Sequence, residues 1–300
     1  MPNASSSALL ELLDRERLPI SMLETIDTVY APLASHLATK ARAARPALIG
    51  LCGPQGSGKS TVALILRELL AGRGHTVAVL SLDDFYLTHA ERQQLASTIH
   101  PLLATRGVPG THDVALAMRT LDALGASGCV ALPSFDKARD DRRPASDWMR
   151  VSAPVDFVLF EGWCVGARPQ SEAALEQPIN DLERGSDPDG RWRCYVNARL
   201  QDDYAALFAR IDELILLKAP AFESVYEWRA EQEHKLRDRV ERSGAEASGL
   251  MNEPALRRFI AHYERLTRHI MSEMPARADV VIELNQARRV NRVQLKSNRP

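Results

Sequence analysis

An α/β fold, with a parallel sheet covered by helices on both faces, follows from three observations. Short apolar runs recur along the chain, helix-periodic stretches separate them, and a glycine-rich turn joins the first run to the first helix. The runs are 47–52, 76–81, 129–132, 155–160, 211–217 and 278–284. Runs of this length without apolar/polar alternation suit strands buried on both faces, which parallel sheets with helical crossovers require. Six such strands separated by helices imply one domain with insertions.

Residues 8–44 alternate apolar and charged positions at helical spacing, broken at Pro19 and Pro32. They read as two or three helices packed on the main domain by their apolar face, so 1–46 is expected as a helical extension and 47–300 as the main domain. Across the 300 residues, 45% are hydrophobic, 26% are charged and the net charge is −1. That balance supplies a large core and no basic footprint for a nucleic acid. Cys52, Cys129, Cys164 and Cys194 form no CxxC pair and suit a reducing cytoplasm. No apolar run reaches the length of a membrane span. Oligomeric state leaves no trace in the sequence.

The stretch after the first run is Gly53-Pro54-Gln55-Gly56-Ser57-Gly58-Lys59-Ser60-Thr61, a G-x4-G-K-S phosphate-binding loop. Its glycines let successive backbone N–H groups turn around a phosphate, and the following helix adds the positive end of its dipole. Lys59 reaches the β/γ-phosphates of a nucleotide, and the Ser60 hydroxyl is placed to ligate Mg²⁺. A mere glycine turn is the bland alternative, but a buried-type strand precedes this one and a helical pattern follows it. The fold class is therefore a P-loop NTPase sheet with helices on both faces, binding a nucleotide together with Mg²⁺.

Other strand ends carry polar residues toward the same crevice. The run 76–81 delivers Leu82-Asp83-Asp84-Phe85-Tyr86, and 155–160 closes on Glu161-Gly162-Trp163, an acid placed as in a Walker B strand. Between them lie Arg106-Gly107-Val108-Pro109-Gly110-Thr111-His112-Asp113, with Asp113 as a helix N-cap, and the mixed-charge stretch 133–143 containing Asp136 and Lys137. Residues 167–207, rich in Pro, Gly and charge, read as a surface insertion; its Asp187-Pro188-Asp189-Gly190 mimics a GTPase box without a strand before it. A helix over 222–242 puts Arg229, Glu233, Leu236 and Arg237 on adjoining positions of one face, and 243–249 is a flexible connector, so a lid is expected at about 221–250. A second helix spans 253–274, and the basic tail after Asn285 is expected to fray.

No N/T-K-x-D guanine box, ABC signature or strand-end Asp-Glu pair occurs. Phosphoryl transfer to a small acceptor remains. It needs a base, a metal-binding carboxylate and cations over the migrating group, for which Asp83, Glu161 and the Arg229/Arg237 helix are candidates.

The phosphate loop, Ser81-x-Asp83-x-Phe85-Tyr86 and Glu161-Gly162 resemble the phosphoribulokinase/uridine kinase superfamily. The Arg106–Asp113 stretch, Pro133-x-Phe135-Asp136-Lys137, Glu161-Gly162-Trp163 and Val225-Tyr226-x-Trp228-Arg229 resemble P-loop D-glycerate kinases, across about residues 47–285. The resemblance implies an NMP-kinase-like P-loop fold and ATP- and Mg²⁺-dependent phosphorylation of D-glycerate. The acid at Asp83 would take the hydroxyl proton or help hold the metal, Glu161 would lie at the metal, and Arg229 would steady the phosphoryl group. Arg106 and His112 would grip the carboxylate, with Asp84, Tyr86, Asp136 and Lys137 also on the acceptor. One departure stands out. Plant-type glycerate kinases follow the Asp-Lys with a Gly-rich segment ending Gly-Asp-Arg, whereas Asp136-Lys137 runs into Ala138-Arg139-Asp140-Asp141-Arg142-Arg143-Pro144.

Overall fold

The computed structural model describes residues 7–243 and 251–296. The helices are α1 (Ser7–Arg15), α2 (Met22–Thr25), α3 (Ala31–Ala38), α4 (Lys59–Ala71), α5 (His89–Thr98), α6 (Val114–Gly125), α7 (Glu172–Leu175), α8 (Asp181–Ser186), α9 (Arg191–Gln201), α10 (Asp203–Phe208), α11 (Phe222–Ser243) and α12 (Glu253–Glu273). The strands are β1 (Ala47–Cys52), β2 (Val77–Ser81), β3 (Gly128–Leu132), β4 (Phe135–Asp136), β5 (Asp141–Arg142), β6 (Met149–Ala153), β7 (Phe157–Gly162), β8 (Glu213–Lys218), β9 (Val280–Leu284) and β10 (Val290–Leu295). The main sheet runs β10-β9-β8-β1-β7-β2. All its pairings are parallel except β10 on β9.

Two neighbouring interior strands, β1 and β7, are buried along their whole length, as their unbroken apolar runs require. β1 lies between β7 and β8, so the chain leaves β1, passes through α4 to β2 and returns later to fill the gap. Register places Leu51 opposite Glu161 and Ser81 opposite Glu161. The strand tips carrying the phosphate loop, Asp83 and Glu161 therefore converge at one crevice.

Five of the six expected strands lie in this sheet. The third does not: β3 pairs antiparallel with β6 in a separate ribbon. Its first residues are exposed, so it never had the two covered faces that a central strand needs. The sixth place goes to the tail expected to fray, because β10 pairs along the edge of β9.

Two cores flank the sheet. On one side, Leu9, Leu12, Ile26, Tyr30, Leu33 and Leu37 of the N-terminal helices share a core with Ile49, Leu66, Leu69 and Trp228. On the other, α6 and α12 cover Leu48, Leu80, Val158 and Leu216. Residues 167–207 form short helices instead of an irregular surface segment. Trp192, Leu200, Tyr204 and Leu207 are buried. Two buried ion pairs, Arg193–Asp187 at 2.9 Å and Arg265–Glu183 at 2.7 Å, tie these helices together and to α12. The false GTPase box has a structural use, since Asp187 accepts from Trp192 N and Arg193 N at the start of α9. Likewise the expected lid begins as core: Phe222, Val225 and Trp228 of α11 are buried. The Arg237 side chain and most of the 243–249 connector lie outside the described residues. Among the described residues, no helix is long and apolar enough to cross a membrane.

Candidate active site

The phosphate loop begins where β1 ends, and α4 starts at its Lys59. Gly56 adopts φ +78°, and a Cβ there would sit 2.8 Å from Cβ of Trp228, so glycine is what lets α11 pack against the loop. Trp228 is in turn fixed by its indole N–H, which donates to Gln286 O at 2.7 Å.

A cavity of about 630 Å³ opens beside the loop. Gln55, Gly56, Gly58, Lys59, Ser60 and Thr61 line its phosphate end, while Gly53, Pro54 and Ser57 of the same loop do not line it, and Ser57 N donates to Pro54 O at 3.2 Å. The carboxylates Asp83, Asp84 and Glu161 and the cations Lys59, Arg106, Lys137 and Arg229 all face it. Residues more than a hundred positions apart thus meet at one site, within the size range of small-ligand clefts.

Glu161 is buried, and Ser60 Oγ donates to its Oε1 at 2.9 Å. These oxygens are hard ligands already adjacent to one another, so they fit Mg²⁺, which takes one or two protein oxygens and completes its shell with phosphate and water. Among the described residues no cluster of three His, Cys, Asp or Glu side chains could hold a metal without such help.

Asp83 has two protein partners. Lys137 Nζ lies 2.6 Å from Oδ2, and Tyr86 OH donates to Oδ1 at 2.7 Å. Burial pushes its carboxyl up, but the Lys137 ammonium, the Tyr86 hydroxyl and Lys59 together outweigh that and hold it at about 2. Asp84 differs: burial raises it, and its Oδ1 accepts the Phe135 amide at 3.1 Å, pinning the 133–143 loop to the end of β2.

Arg106 forms an ion pair with Asp140 and donates to Lys137 O at 3.3 Å. Arg229 pairs with Glu233 one helical turn away, and its guanidinium lies 5.5 Å from the ring centre of Phe259.

Two expected acceptor residues are not on the cavity wall. His112 is buried behind Tyr86, stacked on it at 4.6 Å, with Nδ1 2.6 Å from Tyr204 OH. Burial lowers its pKa to about 3, so it is neutral and cannot act as a cationic grip. Asp136 turns back on its own loop and accepts from Ala138 N and Arg139 N at 3.0 and 3.2 Å. A short Asx-type turn uses the carboxylate that the sequence offered to the acceptor.

Conversely, Ser81, Trp163, Phe259 and Tyr263 line the cavity without having been singled out for it. Trp163 follows Glu161 closely enough to have been a signal. Phe259 and Tyr263 lie on α12 in an ordinary amphipathic pattern, and only packing reveals them. Tyr263 OH donates to Arg106 O at 3.0 Å, and Trp163 Nε1 donates to Gly107 O at 2.8 Å. Gly107, at φ +130°, leaves the space that the Tyr263 hydroxyl fills: a Cβ there would be 2.0 Å away from it. The conformation of the Arg106 loop is therefore set by α12 and by the tip of β7.

Comparison with known proteins bears on the family and the fold. The profile of the Phosphoribulokinase / Uridine kinase family matches residues 48–167. An uncharacterized kinase of Schizosaccharomyces pombe is 37% identical over 234 residues, covering 73% of this chain and 79% of the relative. The chloroplastic D-glycerate 3-kinase of Arabidopsis thaliana is 34% identical over 203 residues, or 64% of this chain and 42% of that protein. Among solved structures, D-glycerate 3-kinase from Cryptococcus neoformans var. grubii superposes with a TM-score of 0.67 at 24% identity, over 93% of this chain and 100% of that one. That last likeness shows a shared fold. The chain belongs to the Phosphoribulokinase / Uridine kinase family, P-loop kinases that carry a phosphoryl group from ATP to a small molecule.

Proposed function

We propose that this kinase phosphorylates D-glycerate, or a hydroxy acid of similar size, at the expense of ATP. The observation that carries the reading is that two cations, Arg106 and Lys137, share with Asp83 the wall of the cavity that also holds Lys59, Lys137 being paired with Asp83 itself. A small acid would meet its carboxylate partners and its base within one cleft. Its 34% identity to a D-glycerate 3-kinase supports the same acceptor.

In this reading the loop amides and Lys59 hold the β- and γ-phosphates. Ser60 and Glu161, with Asp83 beside them, would hold Mg²⁺, which would supply charge neutralisation for phosphoryl transfer. Arg229 steadies the transferred oxygens. The acceptor hydroxyl oxygen forms the new bond to the γ-phosphorus, the bridging oxygen leaves with ADP, and Asp83 takes the hydroxyl proton. For that, the Lys137 ammonium must come off Asp83, and an arriving carboxylate offers it another partner.

An acceptor panel of D-glycerate, uridine, pantothenate and ribulose 5-phosphate, read by ADP release and product NMR, tests the reading. D-glycerate should be turned over with the highest kcat/KM. Preference for a neutral nucleoside, or no turnover of any acid across a range of Mg²⁺ concentration and pH, would sink it. The glycine-free 138–144 loop favours one competing reading, an acceptor other than glycerate within the same family, and the panel separates the two.

A further inference from the structure

Arg92 is a fully buried arginine on α5, far from the phosphate loop in sequence. Its Nη1 donates to Leu87 O at 3.0 Å, and its Nη2 donates both to Asp140 O at 2.9 Å and to Asp140 Oδ2 at 2.6 Å. The other oxygen of the same carboxylate takes Arg106. The guanidiniums of Arg92 and Arg106 lie 5.6 and 5.5 Å from the ring centre of Phe135, whose backbone is held by Asp84. Two arginines thus share one carboxylate and one aromatic ring, and only Arg106 reaches the cavity. His89 Nδ1 also approaches Asp140, at 3.2 Å, from the solvent side.

The carboxylate is delivered by an unusual backbone. Asp140 has φ +55°, a left-handed conformation that Asp, Asn and Gly enter most readily. That turn lies in the very segment where the chain lacks the glycines of the plant-type pattern. Without Asp140, two neighbouring guanidiniums would lose the carboxylate between them, and the Arg106 side chain would keep only a 3.3 Å bond to Lys137 O and the face of Phe135. Its backbone is already tied by Tyr263, so the carboxylate governs the side chain alone.

We infer that Asp140 is the positioning residue of the acceptor subsite: anchored by buried Arg92, it aims Arg106 at the acceptor's carboxylate and so sets the affinity for an anionic acceptor without touching it. This rests on the proposed reading of Arg106 as the acceptor's anion partner.

The test is Asp140→Asn with Asp140→Gly beside it, since both residues accept the left-handed turn and either can stand in if the other fails to fold. KM for D-glycerate should rise roughly 10- to 100-fold, the scale seen when a group orienting a binding residue is removed, while kcat and KM for ATP change little. Phenylglyoxal labelling of Arg106, followed by peptide mass spectrometry, should also become several-fold faster once its partner is gone. A purely structural role would move both substrates' KM values together and leave labelling of Arg106 at its wild-type rate. Unchanged labelling, or equal shifts for ATP and D-glycerate, overturns the inference. If the wild-type protein does not turn over D-glycerate, the acceptor assignment fails, and the labelling rate still decides whether Asp140 restrains Arg106.

Discussion

Asp83 illustrates how one side chain's chemistry depends on who stands next to it. Its carboxylate is charged and doubly hydrogen-bonded, and only the Ser81-x-Asp83-x-Phe85-Tyr86 motif, not the residue type, tells it apart in the sequence from Asp84, which spends its oxygen on the Phe135 amide. Replacement by Asn keeps the shape and removes the proton acceptor. Asp83→Asn should lower kcat by about 10²–10⁴, the usual worth of a general base, while ATP binding measured by titration stays near wild type. Retained turnover would remove Asp83 from the base role. Lys59→Ala, by contrast, should weaken nucleotide binding itself, because the lysine meets the phosphates in the ground state as well as during transfer. At this scale the phosphate loop was legible because its function is a property of consecutive residues. His112 was not: its motif predicted contact with the acceptor, yet burial against Tyr86 and Tyr204 makes it a neutral brace for the loop.

The elements that surround the cavity differ in how openly they announce themselves. β1, β7 and α4 follow from apolar runs and a motif, whereas residues 167–207 showed little periodicity because their helices are short and their interior includes charged groups. Glu183 accepts from both Nε and Nη2 of Arg265 at 2.7 Å, and both residues are buried. Arg265 lies on α12, two residues beyond Tyr263, so this pair links the α8 region to the helix that shapes the Arg106 loop. Breaking one side strands a buried charge. Glu183→Gln should cost about 3–5 kcal/mol, and the thermal midpoint should fall on the order of 10 °C. A loss under 1 °C in a melting experiment would mean that the pair is not what holds these helices. The ribbon of β3 and β6 shows the opposite error, in which a run that read as a sheet strand had no second layer to bury it.

In the molecule as a whole, the N-terminal helices share one core with α4 and the sheet. Leu37 has no exposed surface, sits in that core and is not among the cavity-lining residues. Leu37→Ala should destabilise by roughly 2–5 kcal/mol, the range for large-to-small core changes, with kcat/KM unaffected at temperatures where the protein stays folded. Urea unfolding monitored alongside activity checks both halves. A kinetic defect without a stability loss would give the helices a role at the site instead. Glu213, buried on β8, adds a polar tie to the same region, with His36 at 2.6 Å and Lys40 at 2.9 Å.

By itself the sequence determined the phosphate loop, five strands of the main sheet with the helices beside the loop, and the acids at two strand tips, because each is written in residues close together. Tertiary structure decided which strands share a sheet, which cations face the acceptor, and which carboxylates are spent on the fold. Those outcomes depend on burial and on partners brought from 50 to more than 150 positions away, as when Tyr263 on α12 sets the loop of Arg106. Local pattern carries no record of such distances.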